Sequence, residues 1–423
     1  MPLRITHLSH NDMKGGGALA SYRLHRALLD LGAESRMLVL KKHQDDPTVT
    51  KIDAGPLTTP IHTADRLLRR LHRKRMADRI WSPGRFGVGG LQRHSLVQES
   101  DILGLYWVNG GFLSVAGIER LLRLNKPLVW RLSDLWPLTG GCHHPGDCEK
   151  FKTACACCPQ LGSENVHDLS ARQWQQKRRW PKAGLTIVAP SRWLADRAAE
   201  SALLRGVRIE HITTGIDLSV FKPRQKNKAR QRLGLPVDRQ LILFGANSAV
   251  ANPRKGFPLL VEALGILMRQ DRLTSFDLVL FGSDVAPVLP LDLQLHDRGV
   301  IEDEAEKALL FAAADLFVTP SLEENLPNTV IEAMATGTPT VAFDVGGTGE
   351  LIDHGVNGYL ATPGDGIDLA RGLTALLSAT ASGTTMGERA HKAIAAAHDQ
   401  RRIAGRYLDL FSELRAAASV DQA

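Results

Sequence analysis

The sequence predicts an α/β protein with two doubly wound, parallel-sheet domains. Short apolar strand patterns alternate with helical patterns along the chain, in one series before and a second series after about residue 240. Parallel strands need a crossover connection, which a helix supplies, so this alternation is typical of parallel sheets. The length of 423 residues also suits two domains better than one.

The first series starts with a buried strand pattern at 4–9, which leads through the glycines 15–17 into a helix. Apolar residues recur at helical spacing from Ala20 to Leu31, and Gly32 ends the pattern. The same criteria predict strands at 36–40, 102–108, 127–132 and 185–189, and helices at 115–124 and after Ser191.

The second series predicts strands at 241–245, 276–281, 316–320 and 339–343, and helices at 258–268, 304–314 and 328–335. The basic stretch 222–232 is interpreted as a linker or as an exposed first helix. We therefore expect domains at 1–205 and 206–400. The remaining segment, 401–423, carries a helical pattern that is long enough to pack back on the first domain.

The amino-acid composition favours a globular protein and argues against an integral membrane protein. Hydrophobic residues make up 43% and charged residues 23% of the chain, which is typical of a globular protein. No apolar run reaches the roughly 18–20 residues that a membrane-spanning helix needs, so an integral membrane protein is not expected. The N-terminus lacks the apolar core of a secretory signal, so the chain is expected to stay in the reducing cytoplasm.

Three loops at predicted strand ends carry residues suited to an anionic ligand. Backbone amides at Gly15–Gly17 open a helix and let a phosphate approach closely, although a flexible turn is the alternative. Arg254 and Lys255 precede a helix, where two cations suit a diphosphate and a solvated basic loop is the alternative. Glu324 and Glu332 can accept hydrogen bonds from sugar hydroxyls, whereas the plain alternative is a helix cap and a surface acid.

Together these motifs resemble the signature of family 4 glycosyltransferases. In segment 321–347, Glu324 and Glu332 have seven residues between them. Further matches stand in the same order as in the family: the glycines 15–17, Pro190–Leu194, Gly215–Asp217 with Phe221 and Pro223, Lys255-Gly256, Ala314–Ser321 and Asn357-Gly358. The resemblance implies a retaining enzyme of the GT-B fold, in which two Rossmann-like domains face a central cleft, and a nucleotide-sugar donor.

The resemblance also implies a donor-binding set: Gly15, Gly16, Gly17, Arg254, Lys255, Val300, Ile301, Glu324, Asn325, Leu326, Asn328, Thr329 and Glu332. Lys255 and the glycine amides would hold the diphosphate, and Glu324 would hold the sugar. Glu332 would bind the ribose, and Val300 with Ile301 would lie near the base.

Two positions depart from the family pattern. Ala246 stands where many members have arginine, and Arg254 is the candidate to replace it. Pro327 stands where many members have glycine, which removes one amide donor to the sugar.

The motif from Trp130 to His143 looks like a subgroup associated with bacterial exopolysaccharide assembly of the colanic-acid type. Many relatives have histidine before the aspartate, where this chain has Ser133, so imidazole chemistry is not expected at that position. Asp134 is the candidate for positioning the acceptor hydroxyl, with a strand-end cap as the alternative. Glu324 and Lys255 complete the expected catalytic residues.

All five cysteines fall within one short stretch. Such clustering in a reducing compartment favours a metal over disulfides. The predicted ligands of a closed structural zinc site are Cys142, Cys148, Cys155 and Cys158. Cys157 is spare, and His143 or His144 could replace one thiolate. Packed or free thiols in an irregular loop are the alternative.

The segment 61–80 carries a net charge of +5 of the chain's +7, together with a short strip of leucines. A basic amphipathic helix of this kind suits an anionic membrane surface, and a solvated surface helix is the alternative. No recognition motif accompanies the charge, so nucleic acid is not expected as a partner.

These expectations combine into one function. The chain would be a cytoplasmic glycosyltransferase, peripheral at the inner face of the plasma membrane, in bacterial surface polysaccharide synthesis. It would move a sugar from a UDP- or GDP-sugar to a saccharide acceptor linked to polyprenyl diphosphate, and its chemistry would need no metal cofactor. The alternatives are a GT-B nucleotide-sugar epimerase and a non-catalytic subunit that binds a sugar nucleotide or polysaccharide.

Overall fold

The computed structural model describes residues 2–53, 63, 80–246, 248–269, 276–282, 289, 292–380 and 385–420. The chain divides into two compact units: unit 1 comprises 1–215 and 400–423, and unit 2 comprises 216–399. The segment 61–80, for which membrane binding is predicted, lies outside the described residues except for Thr63 and Ile80.

Unit 1 is built on a parallel sheet of seven strands in the order β3-β2-β1-β4-β5-β6-β7. The strands are β1 (Arg4–Asn11), β2 (Glu34–Lys41), β3 (Val49–Lys51), β4 (Ile102–Leu105), β5 (Leu128–Arg131), β6 (Leu185–Ala189) and β7 (Arg208–His211). The order runs outward in both directions from β1 and β4, which is a doubly wound arrangement. Because β7 pairs with β6, unit 1 extends past residue 205, where the sequence placed the domain limit.

The helices of the first part of unit 1 are α1 (Gly16–Asp30), α2 (Ser95–Glu99), α3 (Val115–Leu122), α4 (Leu169–Lys177) and α5 (Arg192–Glu200). Neighbouring residues of the central strands supply two different cores. Leu103 and Trp130 belong to one core, whereas Ile102 and Val129 belong to the core that contains Leu28 of α1. Successive side chains of a strand point to opposite faces, so both faces of this sheet are buried.

Unit 2 repeats this architecture with a six-stranded parallel sheet in the order β10-β9-β8-β11-β12-β13. The strands are β8 (Gln240–Gly245), β9 (Phe276–Phe281), β10 (Leu295–Asp297), β11 (Leu316–Thr319), β12 (Thr340–Phe343) and β13 (Gly358–Ala361). The helices are α6 (Lys226–Leu233), α7 (Phe257–Met268), α8 (Glu304–Ala313), α9 (Asn328–Ala335), α10 (Gly366–Thr380) and α11 (Thr385–His398).

The final helix, α12 (Gln400–Val420), belongs to unit 1 although it follows unit 2 in the chain. Tyr407 and Phe411 are buried in the same core as Leu24 of α1. The guanidinium of Arg208 donates to the carboxylate of Glu413 over 2.6 and 3.0 Å. Exposed ion pairs add little stability, so the buried apolar face is what holds α12 on unit 1.

Most predicted elements are confirmed within two or three residues. The strands at 185–189 and 276–281 and the helix at 328–335 have the predicted bounds. The stretch 222–232 was left open between a linker and a helix, and most of it forms α6. Among the helices of the described ranges, none combines the length and the apolar character needed to cross a membrane.

Phe411→Ala is expected to lower the free energy of unfolding of unit 1 by about 3–5 kcal/mol, because it leaves a cavity in a closed core. All seven tryptophans of the chain lie in unit 1, so urea unfolding followed by tryptophan fluorescence reports on this unit. Ser412→Ala, at an exposed position on the same helix, is the control and should unfold like the wild type. Equal unfolding midpoints for all three proteins would contradict the packing of α12 described above.

Candidate functional site

The carboxyl ends of β8 and β11 lie side by side in unit 2, where the strand order changes direction. Doubly wound sheets bind ligands at such a switch point. The loop after β8 carries Arg254 and Lys255, and the loop after β11 carries Glu324. The amide of Leu322 donates to the carbonyl of Arg254 over 2.8 Å, which ties the two loops together.

Lys255 and Glu324 form an ion pair, with 2.5 Å between Nζ and Oε1. Nη1 of Arg254 lies 3.9 Å from Oε2 of Glu324 and donates to the carbonyl of Glu323 over 2.6 Å. The three side chains are only 12–17% exposed. The structure therefore brings two predicted diphosphate ligands and the predicted sugar ligand into one shielded cluster with an excess of positive charge.

The carboxyl group of Glu324 stays ionised under most conditions. Burial by itself would raise its pKa, but the charges of Lys255 and Arg254 and the hydrogen bonds from Lys255 and Ser321 lower the pKa to about 2. A buried carboxylate is stable in this position only because cations face it. Glu324 is therefore charged at neutral pH.

Two glycines allow the loops of this cluster to approach each other. Gly256 has a φ of 69°, and a Cβ there would lie 1.8 Å from the carbonyl oxygen of Pro320. Gly346 has a φ of 57°, and its Cβ would lie 1.7 Å from the carbonyl oxygen of Glu324. Any side chain would push the loops apart, so glycine is required for the geometry of the ion pair.

Glu332, on α9, is 1% exposed, so the interpretation of this residue as a surface acid is wrong. Its Oε1 accepts a hydrogen bond from Nζ of Lys307 on α8 over 3.2 Å. Lys307 is itself 9% exposed and was not singled out from the sequence. A buried carboxylate with a cationic neighbour can remain charged for a polar ligand.

The other predicted donor residues of unit 2 lie on loops or at a helix start. Asn325 and Leu326 continue the loop after β11, and Asn328 and Thr329 form the first turn of α9. Val300 and Ile301 follow β10; Val300 is 55% exposed, and Ile301 packs against the core of unit 2. Ala246, which replaces the arginine of many relatives, is buried after β8.

In unit 1 the predicted glycines form the start of α1. Gly15 is the N-cap residue with a φ of 93°, and Gly16 and Gly17 begin the helix. A Cβ on Gly17 would lie 2.6 Å from Oγ of Ser133, so this helix start approaches the loop after β5. The geometry of a helix N-terminus, on which the anion-binding interpretation depends, is present.

Asp134 is held by two contacts after β5. Its Oδ1 accepts from the amide of Trp136 over 2.9 Å, and its Oδ2 lies 2.7 Å from Nδ1 of His143. Nε2 of His143 lies 2.9 Å from Oγ of Ser82, and all three side chains are buried. Burial would raise the pKa of Asp134, but the neighbouring imidazole lowers it below its usual value.

This chain of contacts was missed in the sequence, because Ser82 is 61 residues from His143 and carries no motif. The bond to Trp136 is the local cap that was named as the alternative role of Asp134. The expectation that His143 could replace a thiolate is wrong, since both of its ring nitrogens face Asp134 and Ser82.

The predicted zinc ligands lie together in unit 1. A single small cavity is lined by Cys142, Cys148, Cys155 and Cys158. Across the described ranges, however, no group of three or more histidine, cysteine, aspartate or glutamate side chains is already arranged to hold a metal ion. The cysteines are therefore neighbours without having ligand geometry.

Comparison with known proteins finds a family match within unit 2. Residues 239–379, which include Lys255, Glu324 and Glu332, match the protein family described as glycosyl transferases group 1. A D-inositol 3-phosphate glycosyltransferase from Xylanimonas cellulosilytica is 28% identical over 389 residues, which cover 86% of this chain and 84% of the relative.

Two solved structures have the same fold. Sucrose-phosphate synthase from Thermosynechococcus elongatus matches with a TM-score of 0.69 at 20% identity, covering 98% of this chain and 100% of that one. HepE from Anabaena, in complex with UDP and glucose, matches with a TM-score of 0.63 at 19% identity, covering 97% and 99%. The likeness to these two structures shows that the chain has two Rossmann-like domains of the GT-B fold.

The stability of the protein is expected to fall in acid through Glu324. Its pKa is about 2 when folded against an ordinary value of 4.5, so the ion pair contributes fully above about pH 4.5, and the contribution is lost as the pH falls towards about 2. Glu324→Gln should show a shallower decrease of the unfolding free energy over this window, measured by denaturation followed by circular dichroism. Glu262→Gln, at an exposed position on α7, is the control. Equal slopes for Glu324→Gln and the wild type would exclude this role of the ion pair.

Proposed function

We propose that the chain is a group 1 glycosyltransferase that moves a sugar from a UDP- or GDP-sugar to a saccharide acceptor, with retention of the anomeric configuration. The observation that carries the proposal is the meeting of Lys255 and Arg254 with Glu324 at the switch point of unit 2. Two cations beside a carboxylate suit a ligand that combines a diphosphate with sugar hydroxyls. The complex of HepE with UDP and glucose supports the same class of donor.

In the proposed reaction, the bond between the anomeric carbon and the diphosphate oxygen breaks, and the diphosphate leaves with the electron pair. The acceptor oxygen forms its bond to the anomeric carbon from the same face, since the configuration is retained. The acceptor proton passes to the departing phosphate oxygen. Lys255 and Arg254 stabilise the negative charge that develops on the diphosphate, and Glu324 accepts hydrogen bonds from the sugar.

Glu332 is proposed to bind the ribose hydroxyls of the nucleotide. Its carboxylate can accept two hydrogen bonds, and the contact with Lys307 favours the charged form that accepts them. The first turn of α9, with Asn328 and Thr329, adds the partial positive charge of a helix N-terminus near the same loop. Val300 and Ile301 remain the candidates for residues that lie near the base of the nucleotide.

Unit 1 is proposed to bind the acceptor. Asp134 would orient the acceptor hydroxyl, and His143 would fix the position of that carboxylate, because Oδ2 of Asp134 lies 2.7 Å from its Nδ1. Gly15–Gly17 would offer backbone amides to a phosphate group. His143 touches Asp134 and Ser82 with its two nitrogens, so it is a positioning residue.

The acceptor is proposed to be a saccharide linked to polyprenyl diphosphate, in bacterial surface polysaccharide synthesis. This assignment is supported by the motif from Trp130 to His143. A second candidate, a phosphorylated cyclitol, is favoured by the name of the Xylanimonas relative, which is a D-inositol 3-phosphate glycosyltransferase. Comparing transfer to the two classes of acceptor distinguishes the candidates.

Lys255→Ala is expected to lower kcat/KM for sugar transfer by about 100–1,000-fold, because it removes a cation that stabilises the leaving diphosphate. Transfer from radiolabelled UDP- and GDP-sugars measures the effect, and thermal unfolding checks that the variant is folded. Lys222→Ala, which removes the same charge at an exposed position of unit 2, should transfer normally.

A Lys255→Ala protein that is folded and transfers sugar at the wild-type rate would overturn the proposed role of the cluster. Conversion of the donor to another nucleotide-sugar without an acceptor would instead identify the epimerase. If the wild type binds a nucleotide-sugar and turns over none with any acceptor, the protein is the non-catalytic binding subunit.

The protein is further proposed to act in the cytoplasm, at the inner face of the plasma membrane, through the basic segment 61–80. Sedimentation with vesicles of phosphatidylglycerol should therefore exceed sedimentation with phosphatidylcholine vesicles and should fall as salt is raised. Neutralising Arg69, Arg70, Arg73 and Lys74 together should abolish the difference. Unchanged binding of this variant would exclude the segment as the membrane anchor.

A further inference from the structure

The segment from Thr139 to Asp168 in unit 1 has little regular structure. It contains two short 3-10 turns, Lys150–Lys152 and Pro159–Leu161, and one isolated bridge, between Trp81 and Cys142. Irregular segments longer than about 12–15 residues are uncommon in compact domains and usually serve a function. Its apolar contacts are divided between two cores. Trp81, Cys142, Cys158 and Leu161, with Leu169 beside them, form a small core of their own, whereas Phe151 belongs to the main core of unit 1 and Cys155 packs against that core. The stretch around Cys142 and Cys158 therefore has only a small core of its own.

Four of the five cysteines in this segment, Cys142, Cys148, Cys155 and Cys158, line one small cavity. Trp81, Gly140 and Lys150 also line it, and Nζ of Lys150 donates to the carbonyls of Ala156 and Cys157. The fifth, Cys157, is not part of the lining, and its thiol donates to the carbonyl of Glu164 over 3.2 Å. Four thiols around one cavity match the number and type of ligands in a closed tetrahedral zinc site. The four cysteines that line the cavity are thus the same four that the sequence spacing predicts as ligands.

One of the four sulfurs already accepts a hydrogen bond from the backbone. The amide of Gly140 donates to Sγ of Cys155 over 3.1 Å. A hydrogen bond of this kind orients a sulfur ligand.

We propose that Cys142, Cys148, Cys155 and Cys158 bind one structural zinc ion. The side chains are not yet in ligand geometry, so binding must draw the four sulfurs together by side-chain rotation around the cavity. Each thiol gives up its proton to solvent, and four S–Zn bonds form without any change of oxidation state. The site has no open position for substrate, so the zinc acts on the structure of the segment and not on the reaction.

The zinc would also hold the proposed acceptor residues. Cys142 directly precedes His143, and the carbonyl of Gly141 accepts from the amide of Ser82 over 2.8 Å. A zinc ion bound to Cys142 would therefore hold both His143 and Ser82 in place. These are the residues that extend the contacts of Asp134. This consequence depends on the proposed function, whereas the metal site itself does not.

The test is the metal content of the full chain, purified without an affinity tag and measured by mass spectrometry. We expect one zinc ion per chain in the wild type. Cys148→Ser and Cys155→Ser should lose most of it, whereas the matched control Cys157→Ser should keep it. After exchange with Co²⁺, the wild type should show the strong visible absorption of a tetrahedral site and thiolate-to-metal charge transfer.

A wild-type chain that contains no stoichiometric zinc after purification in the presence of zinc would overturn the proposal. Loss of zinc in Cys157→Ser to the same extent as in Cys155→Ser would overturn the assigned ligands. If the ligand variants fail to fold, alkylation of the native wild type replaces them. One cysteine should react before a chelator is added and all five afterwards, and five reactive cysteines from the start would contradict the site. Sugar transfer is measured separately, so failure of the metal site and failure of the proposed enzyme activity remain distinguishable.

Discussion

The ion pair between Lys255 and Glu324 is the interaction on which the proposed donor site depends. Two buried charges on neighbouring loops are stable only when they face each other at short distance, and here 2.5 Å separates Nζ from Oε1. That distance in turn depends on Gly256 and Gly346, where any side chain would collide with the opposite backbone. The ion pair and the close approach of the two loops therefore depend on each other. Both are possible because the order of the parallel strands places the two loops side by side.

Unit 1 also contains a buried carboxylate whose partners hold two parts of the chain together. The carboxylate of Asp134 is buried, and the amide of Trp136 and the imidazole of His143 satisfy its two oxygens. Those contacts hold the start of an irregular segment against the end of β5. The segment then needs a support of its own, since it has few apolar residues, and the cavity surrounded by four cysteines is the place where such a support can act. The sheet thus positions the buried carboxylate of Asp134, and Asp134 holds the start of the irregular segment. The cysteine cavity lies further along that segment.

The strands show most clearly which elements the sequence pattern predicts and which it does not. Central strands such as 185–189 and 276–281 were predicted because both of their faces are buried, which produces a continuous apolar run. The edge strands β3, β7, β10 and β13 were not predicted. They are three or four residues long, and β7 and β10 are half-exposed along most of their length, so they lack a hydrophobic period. Their place is decided by pairing with the strand that precedes each of them in the chain.

The sequence by itself determined the alternation of strands and helices, because this feature depends on the local period of apolar residues. The resemblance to a known family predicted Lys255, Arg254 and Glu324 as one chemical set, and the spacing of the cysteines predicted four ligands apart from Cys157. The tertiary structure alone decided that Lys255 reaches across 69 residues to Glu324, that Lys307 accompanies Glu332, and that Ser82 and His143 extend from Asp134. Contacts of this kind arise from the order of strands in a sheet and from the burial of charge, neither of which leaves a period in the chain.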